Sequence, residues 1–473
     1  MDGKLLKRLI NFGYFGIFLI FASVLFINIR KELWNDEIYS LVNFVFVPIK
    51  TTLADYHAAN NHIFYNLINS LFLKIAGINS LDPLLENPFI IRILPLIFSI
   101  ICCLFVYKAA KINFGQDVAL LSLVLLFSTL AFSNHALQAR GYSLSMMICS
   151  IIFYYHTAYP FKPDFRKLII LLIGTSLLIY TGLSNLWFVL AALCISVLQK
   201  QWKLSLAYFS GIILSIIFYI PVIPAILGNK ILNSRDQYPL EIFWFYIPKI
   251  FYYFLSHRYL IVIFIGISIY TGFKKHRKQL ILVLIFFLLP FIFSFLRMQT
   301  PPDRIYLFLL PFFAIFSAYA VQNVIELSGR FKLRFLLIFL IYLNFSNLFA
   351  IGETNYRLTK NLKTGIRKQN LMYNYYLCKY NPGEVAAYCR DIQPVILFNT
   401  EPHDIVYYLE ANKIKPYMTD DLDSLKQTNQ NLYLITVFPY TAKDSLKNIL
   451  PGFYLVEEEL DPGYYGVIKC QKK

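Results

Sequence analysis

The sequence has few charged residues, and acidic ones are scarcer than basic ones. Only 15% of its 473 residues are charged, whereas 58% are hydrophobic and 18% are aromatic. A soluble domain carries charge on roughly a quarter of its residues, so this composition excludes an ordinary soluble globular protein. The sequence also lacks fixed-period repeats, low-complexity tracts and metal-ligand spacings of cysteine or histidine, so it gives no indication of a repeat protein or a metal site.

Long apolar runs occupy most of the chain instead. Runs of about 17 to 22 residues match a helix that crosses a bilayer core of about 30 Å, and their continuity indicates helices rather than a barrel. The first run has no small-residue cleavage site after it, so we expect a retained span. About eleven spans are predicted, at residues 12–29, 92–107, 118–133, 142–159, 168–184, 186–198, 204–227, 259–273, 280–296, 305–323 and 335–351.

The formal net charge of +17 has a regular distribution. Basic residues cluster in every second loop, for example at residues 4–8, 274–278 and 330–334, as the positive-inside bias predicts. The charge is therefore a topology signal and gives no indication of a nucleic-acid partner. It predicts a multi-pass protein of the inner (cytoplasmic) membrane, with a cytoplasmic N-terminus and an extracytoplasmic C-terminal region.

Two domains are predicted. Residues 1–352 form a transmembrane domain that includes an outer loop over residues 30–90, in which residues 63–76 have the pattern of an amphipathic helix on the membrane. Residues 353–473 have mixed composition and turn signals, which favour a small extracytoplasmic α/β domain. Its predicted elements are strands at 395–398 and 432–437, a helix at 403–410, and a hairpin of 453–457 with 464–468.

Polar residues that could carry chemistry lie in the predicted outer loops. Asp36 and Glu37 follow the first span, and Arg92, Arg140 and Arg304 each stand at the outer start of an inward-going helix. A single arginine there is most simply an interface anchor, and an isolated acidic pair is most simply solvated. Several guanidinium groups at one depth would instead suit the oxygens of a lipid-linked phosphate.

The order of these motifs resembles a known class. An acidic pair followed by Tyr39 comes first, then Asn60-Asn61-His62, and later Arg92-Ile93-Leu94-Pro95, Gln138-Ala139-Arg140-Gly141-Tyr142 and Asp303-Arg304-Ile305. Over roughly residues 10 to 325 the chain is similar to the GT-C class of polytopic glycosyltransferases, specifically the bacterial form of the protein mannosyltransferase and aminoarabinose transferase superfamily. The fold class expected is therefore a GT-C-like polytopic α-helical membrane protein with a small C-terminal α/β domain.

The resemblance implies a function and a set of site residues. The catalytic carboxylate of the class corresponds to Asp36, with Glu37 beside it, and the usual His-Pro-Pro-like segment is replaced here by Ala59-Asn60-Asn61-His62. The reaction implied is inverting sugar transfer from a polyprenyl-phosphate donor to an acceptor hydroxyl, for which Asp36 would serve as general base. The residues expected to bind substrate are Asn61, His62, Arg92, Arg140, Tyr142 and Arg304.

The chemistry leaves several points open. A polyprenyl phosphate is already a good leaving group, so no cofactor is required and a divalent cation is optional. The expected partners are membrane lipid, the lipid-linked sugar donor, and an acceptor that is a protein, a lipid or a glycan. A flippase of lipid-linked sugars, a glycan ligase or polymerase, and a non-catalytic scaffold are the alternatives. The gathering of charges outside the spans, in the first loop, favours the transferase over these.

Overall fold

The structure is a computed structural model. It describes residues 3–57, 61–158, 164–228, 250–251, 253–255, 260–272, 277–296, 303–364, 381–392, 394–398, 404–419, 421–427, 430–437, 446–448, 450, 452–458, 460 and 465–473. The chain divides into two compact units. The helical unit comprises Met1–Ile29, Asn43–Ile78 and Ile91–Leu348, and the C-terminal unit comprises Arg30–Val42, Asn79–Ile90 and Phe349–Lys473.

Helices account for most of the described chain before residue 365. Their bounds are Gly3–Asn28, Asn35–Ser40, Ile49–Ala54, Ile63–Ile75, Asp82–Glu86, Phe89–Phe114, Gln116–Phe127, Leu130–His135, Tyr142–Ala158, Phe165–Thr181, Leu186–Leu198, Trp202–Tyr219, Ile223–Gly228, Leu260–Gly272, Arg277–Leu296, Leu310–Leu327 and Lys332–Thr364. Tighter or wider turns extend several of them, at Leu41–Val45, Leu183–Asn185, Ile220–Val222, Asp303–Leu309 and Gly329–Phe331.

The apolar runs form membrane-length helices. Five described helices are long and apolar enough to cross a bilayer: Lys4–Asn28, Phe89–Phe114, Trp202–Gly228, Arg304–Leu327 and Gly329–Leu348. The chain is therefore a multi-pass membrane protein, as predicted. Each of the predicted spans overlaps a helix, while the number of about eleven crossings stays a prediction.

Three predicted spans are interrupted, and the interruptions have local causes. The run 118–133 is two helices, because the Thr129 hydroxyl accepts a hydrogen bond from the Phe132 amide and so begins a second helix at Leu130. The run 204–227 tightens at Ile220–Val222, where Pro221 removes an amide donor. The run 305–323 starts as the 3-10 turn Asp303–Leu309 before Pro311 opens the α-helix.

The helix Ile63–Ile75 buries polar side chains and exposes large apolar ones. Asn66 and Asn69 are buried, whereas Leu71 and Ile75 are 61% and 79% exposed. Ile63 and Leu73 are buried on the same helix, so its inner face mixes polar and apolar side chains, while large apolar side chains lie on its outer face, which suits a helix in contact with lipid.

The C-terminal unit contains a five-stranded sheet with the order β2-β1-β3-β5-β4. The strands are β1 Val395–Phe398, β2 Tyr417–Thr419, β3 Leu432–Val437, β4 Tyr454–Glu458 and β5 Tyr465–Lys472, and the described helices beside them are Pro382–Tyr388, Ile405–Ala411 and Leu422–Gln427. β1 pairs parallel with β2 and β3, and β5 pairs antiparallel with β3 and β4.

Apolar residues pair across the central strands of the sheet and form its core. Ile396 lies opposite Leu434, and Leu434 lies opposite Ile468 on the next strand; all three are buried. The predicted small α/β fold is confirmed, including β1, β3 and the hairpin. β2 and the helix Leu422–Gln427 were not predicted.

Candidate active site

The acidic pair of the first loop lies in the C-terminal unit, on the short helix Asn35–Ser40. Glu37 is completely buried, and its Oε2 accepts a hydrogen bond of 2.9 Å from the backbone amide of Trp34. The first amides of a helix have no partner within the helix, and a carboxylate near them also meets the positive end of the helix dipole. Glu37 therefore stabilises the start of this helix.

Asp36 has different surroundings from its neighbour. Successive side chains on a helix point about 100° apart, so the burial of Glu37 directs Asp36 elsewhere. Asp36 is half-buried, and its own carbonyl accepts a hydrogen bond of 2.8 Å from the Ser40 hydroxyl one turn later. Of the two predicted catalytic carboxylates, Asp36 is therefore the one that is not fully buried.

His62 and Arg140 meet in the helical unit although 78 residues separate them. The Arg140 Nη2 lies 3.3 Å from His62 Nε2, and His62 Nδ1 lies 3.2 Å from the Thr181 carbonyl oxygen. A guanidinium can only donate, so Nε2 accepts and the ring proton sits on Nδ1, which donates to Thr181. The imidazole is therefore neutral in this arrangement and orients the arginine.

Gly141 makes this approach feasible. A Cβ at Gly141 would lie 2.9 Å from the His62 ring and 2.9 Å from the Thr181 methyl carbon. Real Cβ atoms essentially never come so close to other heavy atoms, so any side chain would push these groups apart. Close packing against His62 and Thr181 thus explains why a glycine stands between Arg140 and Tyr142.

Tyr142 is the centre of the ring contacts around this arginine. Its ring centroid lies 5.1 Å from the His62 ring and 5.1 Å from the His135 ring, both in edge-on geometry. The guanidinium carbon of Arg140 lies 5.1 Å from the Tyr142 centroid, within cation–π range. Arg140 itself is only 2% exposed. The structure therefore brings together His62, Arg140 and Tyr142, three of the predicted residues, of which Arg140 and Tyr142 are buried. We call this group the arginine cluster.

Arg304 lies in the same unit, half-buried in the turn Asp303–Leu309. That turn packs against the helix Tyr142–Ala158, whose first residue is Tyr142. The helix Phe165–Thr181 in turn packs against the helix that follows His62. The elements that carry these four predicted residues are thus neighbours, while a role for Arg304 in binding stays a prediction.

Two further predicted residues make structural contacts. Arg92 is completely buried, and its Nη1 donates a hydrogen bond of 2.7 Å to the carbonyl of Asn28, the last residue of the first long helix. A cation at a helix C-terminus satisfies an orphan carbonyl and complements the dipole. The geometry thus gives Arg92 a capping contact, and its proposed contact with phosphate stays a prediction.

Asn61 is likewise engaged by its own loop. Its Nδ2 donates to the carbonyls of Thr52 and Asp55, at 3.3 and 2.8 Å, and its Oδ1 accepts from Asn66 at 2.9 Å. This amide joins the end of the helix Ile49–Ala54 to the helix that begins at Ile63. It fixes the position of the neighbouring His62, and its direct contact with a sugar stays a prediction.

Sequence reasoning missed several participants. His135 is buried, and its Nδ1 lies 3.2 Å from the Tyr253 hydroxyl; it ends the helix Leu130–His135, whereas Tyr142 begins the next helix, so no helical pattern in the sequence links them. The Gln138 Oε1 and Asn134 Nδ2 are buried without a hydrogen-bond partner in the described part of the chain. Buried polar atoms usually have a hydrogen-bond partner, so these two amides are groups that a bound polar molecule could satisfy. The signal in sequence was the density of polar residues over 134–142.

Among the residues that the structure describes, no three His, Cys, Asp or Glu side chains stand close enough to hold an ion. A divalent cation remains an optional participant.

Comparison with known proteins supports the fold. No family model matches the chain, and neither does any curated protein sequence. The crystal structure of ArnT from Cupriavidus metallidurans bound to undecaprenyl phosphate is similar over 99% of this chain and 98% of that one, with a TM-score of 0.55 and 10% identity. The apo form of the same protein has a TM-score of 0.55 and 10% identity, over 96% of each chain.

A weaker likeness relates the chain to AglB, the archaeal oligosaccharyltransferase from Archaeoglobus fulgidus, solved with an inhibitory peptide and a dolichol-phosphate. It covers 95% of this chain and 74% of that one, with a TM-score of 0.48 and 12% identity. ArnT and AglB are both GT-C membrane glycosyltransferases. The likeness to ArnT confirms the GT-C resemblance predicted from the motifs at the level of the fold.

Proposed function

We propose that the chain is a membrane glycosyltransferase that moves a sugar from a polyprenyl-phosphate donor to an acceptor hydroxyl, with inversion at the anomeric carbon. The observation that carries this proposal is the contrast within the acidic pair. The Glu37 carboxylate is buried and bonded to the Trp34 amide at the start of its helix, whereas Asp36, on the same turn, is half-buried. The full-length GT-C fold supports it, since the ArnT structure with that fold contains undecaprenyl phosphate.

The reaction requires a base, and Asp36 is the residue we assign. Its carboxylate removes the proton of the acceptor hydroxyl as the oxygen forms a bond to the anomeric carbon. The bond from that carbon to the phosphate oxygen breaks, and the polyprenyl phosphate leaves with the electron pair. Attack opposite the leaving group inverts the configuration.

The arginine cluster supplies the cationic part of the chemistry. Arg140 is fixed by His62 and Tyr142, so its charge needs no rearrangement as negative charge develops on the leaving phosphate. Arg304 and Arg92 would add charge to the same function. A buried guanidinium whose direction is fixed by a neutral histidine suits a phosphate, because two phosphate oxygens can accept parallel hydrogen bonds from the fork.

The membrane orientation belongs to the proposal too. The basic loops predict a cytoplasmic N-terminus, and transfer would then occur on the outer face of the cytoplasmic membrane, the side on which the C-terminal α/β region is predicted to lie. The sugar is a hexose or pentose, and the acceptor is a protein, lipid or glycan hydroxyl.

The test is Asp36→Asn in membranes supplied with undecaprenyl-phosphate-linked radiolabelled monosaccharides, offered as a panel. We expect transfer to fall by about 10²- to 10⁴-fold, the usual effect of losing a general base. Asp55→Asn is the matched control, because Asp55 is an acid of the same loop whose Oδ1 pairs with exposed His57. Retained transfer in Asp36→Asn would remove the base assignment, and lipid flipping without transfer in the unmodified protein would favour a transporter.

A further inference from the structure

The segment that carries Asp36 has no stable fold of its own. It is Arg30–Val42, and its only α-helix has six residues. Isolated helices shorter than about 12 residues are marginal in water, so the direction of Asp36 depends on what holds the segment. The contacts that do so come from residues more than 340 positions later in the same unit.

Hydrogen bonds from Glu32 and Leu33 join the segment to the C-terminal α/β region. The Glu32 Oε2 accepts a bond of 3.0 Å from the backbone amide of Gly383, in the first turn of the helix Pro382–Tyr388. The backbone amide of Leu33 donates a bond of 2.8 Å to the Tyr408 hydroxyl oxygen. Leu33 is fully buried, so the bond to Tyr408 is shielded from competing water, whereas the bond to Glu32 is partly buried.

Gly383 is the point of closest approach. A Cβ there would lie 2.7 Å from Glu32 Oε1 and 3.4 Å from the Tyr408 ring. A side chain at this position would require the Glu32 carboxylate, the end of a flexible side chain, to shift from its present place against the amide. Glu32, Gly383 and Tyr408 therefore form one contact, which we call the clamp.

The side of the clamp in the α/β region is itself anchored to strand β5. The side chain of Asn381 donates to the Tyr465 carbonyl and accepts from the Tyr465 amide, both at 3.0 Å. The Tyr465 hydroxyl donates to Asp404, which caps the helix that carries Tyr408. The helices that carry Gly383 and Tyr408 are thus both bonded to Tyr465 of strand β5.

We propose that Glu32, Gly383 and Tyr408 are positioning residues: through them the C-terminal α/β region holds the short helix that presents Asp36. This inference rests on the proposed function of Asp36 and gives the α/β region a part in building the active site. Glu32 stands four residues before Asp36 and does not act on substrate itself; its effect passes through the backbone of residues 33–36.

Three variants break the clamp in different ways. Glu32→Ala removes the acceptor, Tyr408→Phe removes the oxygen that meets the Leu33 amide, and Gly383→Ala displaces the carboxylate, which can move because it ends a flexible side chain. Glu32→Gln keeps an acceptor oxygen and is the rescue variant. The matched controls are Glu410→Ala and Tyr417→Phe, both exposed, and Gly452→Ala, whose Cβ would meet nothing within 4 Å.

Two measurements on the full-length protein in detergent test the proposal. In the clamp variants we expect amide hydrogen exchange of residues 33–38 to rise about tenfold or more, with strand β3 unchanged. We also expect kcat to fall about 10- to 100-fold with the donor KM within about twofold, because the base is misplaced while donor binding is intact. Glu32→Gln and the three controls should stay near the unmodified protein in both.

The outcomes separate cleanly. Unchanged exchange in residues 33–38, or raised exchange with unchanged kcat, would overturn the positioning role. If Glu32→Ala does not fold, Gly383→Ala and Tyr408→Phe decide the question alone. Normal transfer by Asp36→Asn would instead overturn the function assigned to Asp36, and the exchange data would still report whether the clamp holds the segment.

Discussion

The arginine cluster and the clamp hold their polar groups in opposite ways. In the helical unit, Arg140 is buried on the chain just ahead of a 17-residue helix, and its position is set by His62 from another helix start. In the C-terminal unit, Asp36 lies on a six-residue helix that is held through Glu32 by residues of the same unit that are more than 340 positions later in the sequence. Arg140 is held by the packing of the helices around it, whereas the segment that carries Asp36 is held by hydrogen bonds.

This difference has a consequence for function. A group embedded in packed helices keeps its direction as long as the unit is folded, so it can stabilise charge without rearranging. A group on a short, tethered segment opens locally at low free energy, so it can shift when substrate enters or leaves. We therefore expect changes in the arginine cluster to affect lipid-phosphate binding and changes in the clamp to affect turnover.

The largest expected effect that would sharpen the comparison is the loss of Arg140. Arg140→Met should weaken the binding of undecaprenyl phosphate by about 10²- to 10³-fold, because a fixed charge-assisted contact with the phosphate is removed. Arg140→Lys should lose about tenfold, since it keeps the charge without the fork. Binding of radiolabelled undecaprenyl phosphate to purified protein measures both. Equal binding by all three proteins would show that the cluster is only structural.

A smaller effect is expected from the pH dependence of the clamp. Burial raises the pKa of Glu32 from 4.5 to about 7, against the lowering by the amides of Gly383 and Glu384 and by the charge of Lys31, while the charge of Glu384 raises it further. The folded state thus favours the protonated acid. The raised pKa therefore contributes to the free energy of unfolding. This contribution is complete below pH 4.5 and is lost as the pH rises through about 7, and its full size is at most about 3 kcal/mol.

Urea unfolding of the C-terminal unit at several pH values checks this. Burial raises the pKa of Asp404 to about 6, so that residue contributes in the same direction, and the comparison must be with Glu32→Gln. Between pH 4.5 and 8 the unmodified protein should lose more stability than Glu32→Gln does. Parallel curves for the two proteins would contradict a buried, titrating Glu32.

Local patterns explain which parts of the fold were predictable. Strands β1 and β3 are apolar and short, so composition found them, whereas Tyr417 and Met418 of β2 are exposed and carry no such pattern. The break at Thr129 was missed because hydroxyl side chains are tolerated inside apolar helices, and only its bond to the Phe132 amide reveals it as a cap.

The site was predictable only where chemistry and sequence position coincide. Asp36, His62 and Arg140 could be found as polar residues in apolar surroundings. The different surroundings of Asp36 and Glu37 depend on the hydrogen bond between Glu37 and the Trp34 amide. The clamp joins residues 351 positions apart. Contacts of that separation leave no periodic signal in one sequence, so no spacing argument could have found them.

The smallest effect concerns Gly141, and it tests whether the arginine cluster really depends on packing. In Gly141→Ala the new methyl group would lie 2.9 Å from His62 and from Thr181, so the imidazole must move away from the carbonyl it meets now. We expect a loss of about 1–3 kcal/mol in stability, the usual effect of overpacking, together with weaker lipid-phosphate binding. Gly211→Ala is the matched control, because its Cβ would lie 2.7 Å from the Leu172 carbonyl oxygen, in a helix contact that involves none of the cluster residues. It should destabilise the protein similarly and leave binding by the folded protein unchanged; if both variants lose binding alike, the effect is global, and the cluster has no packing constraint of its own.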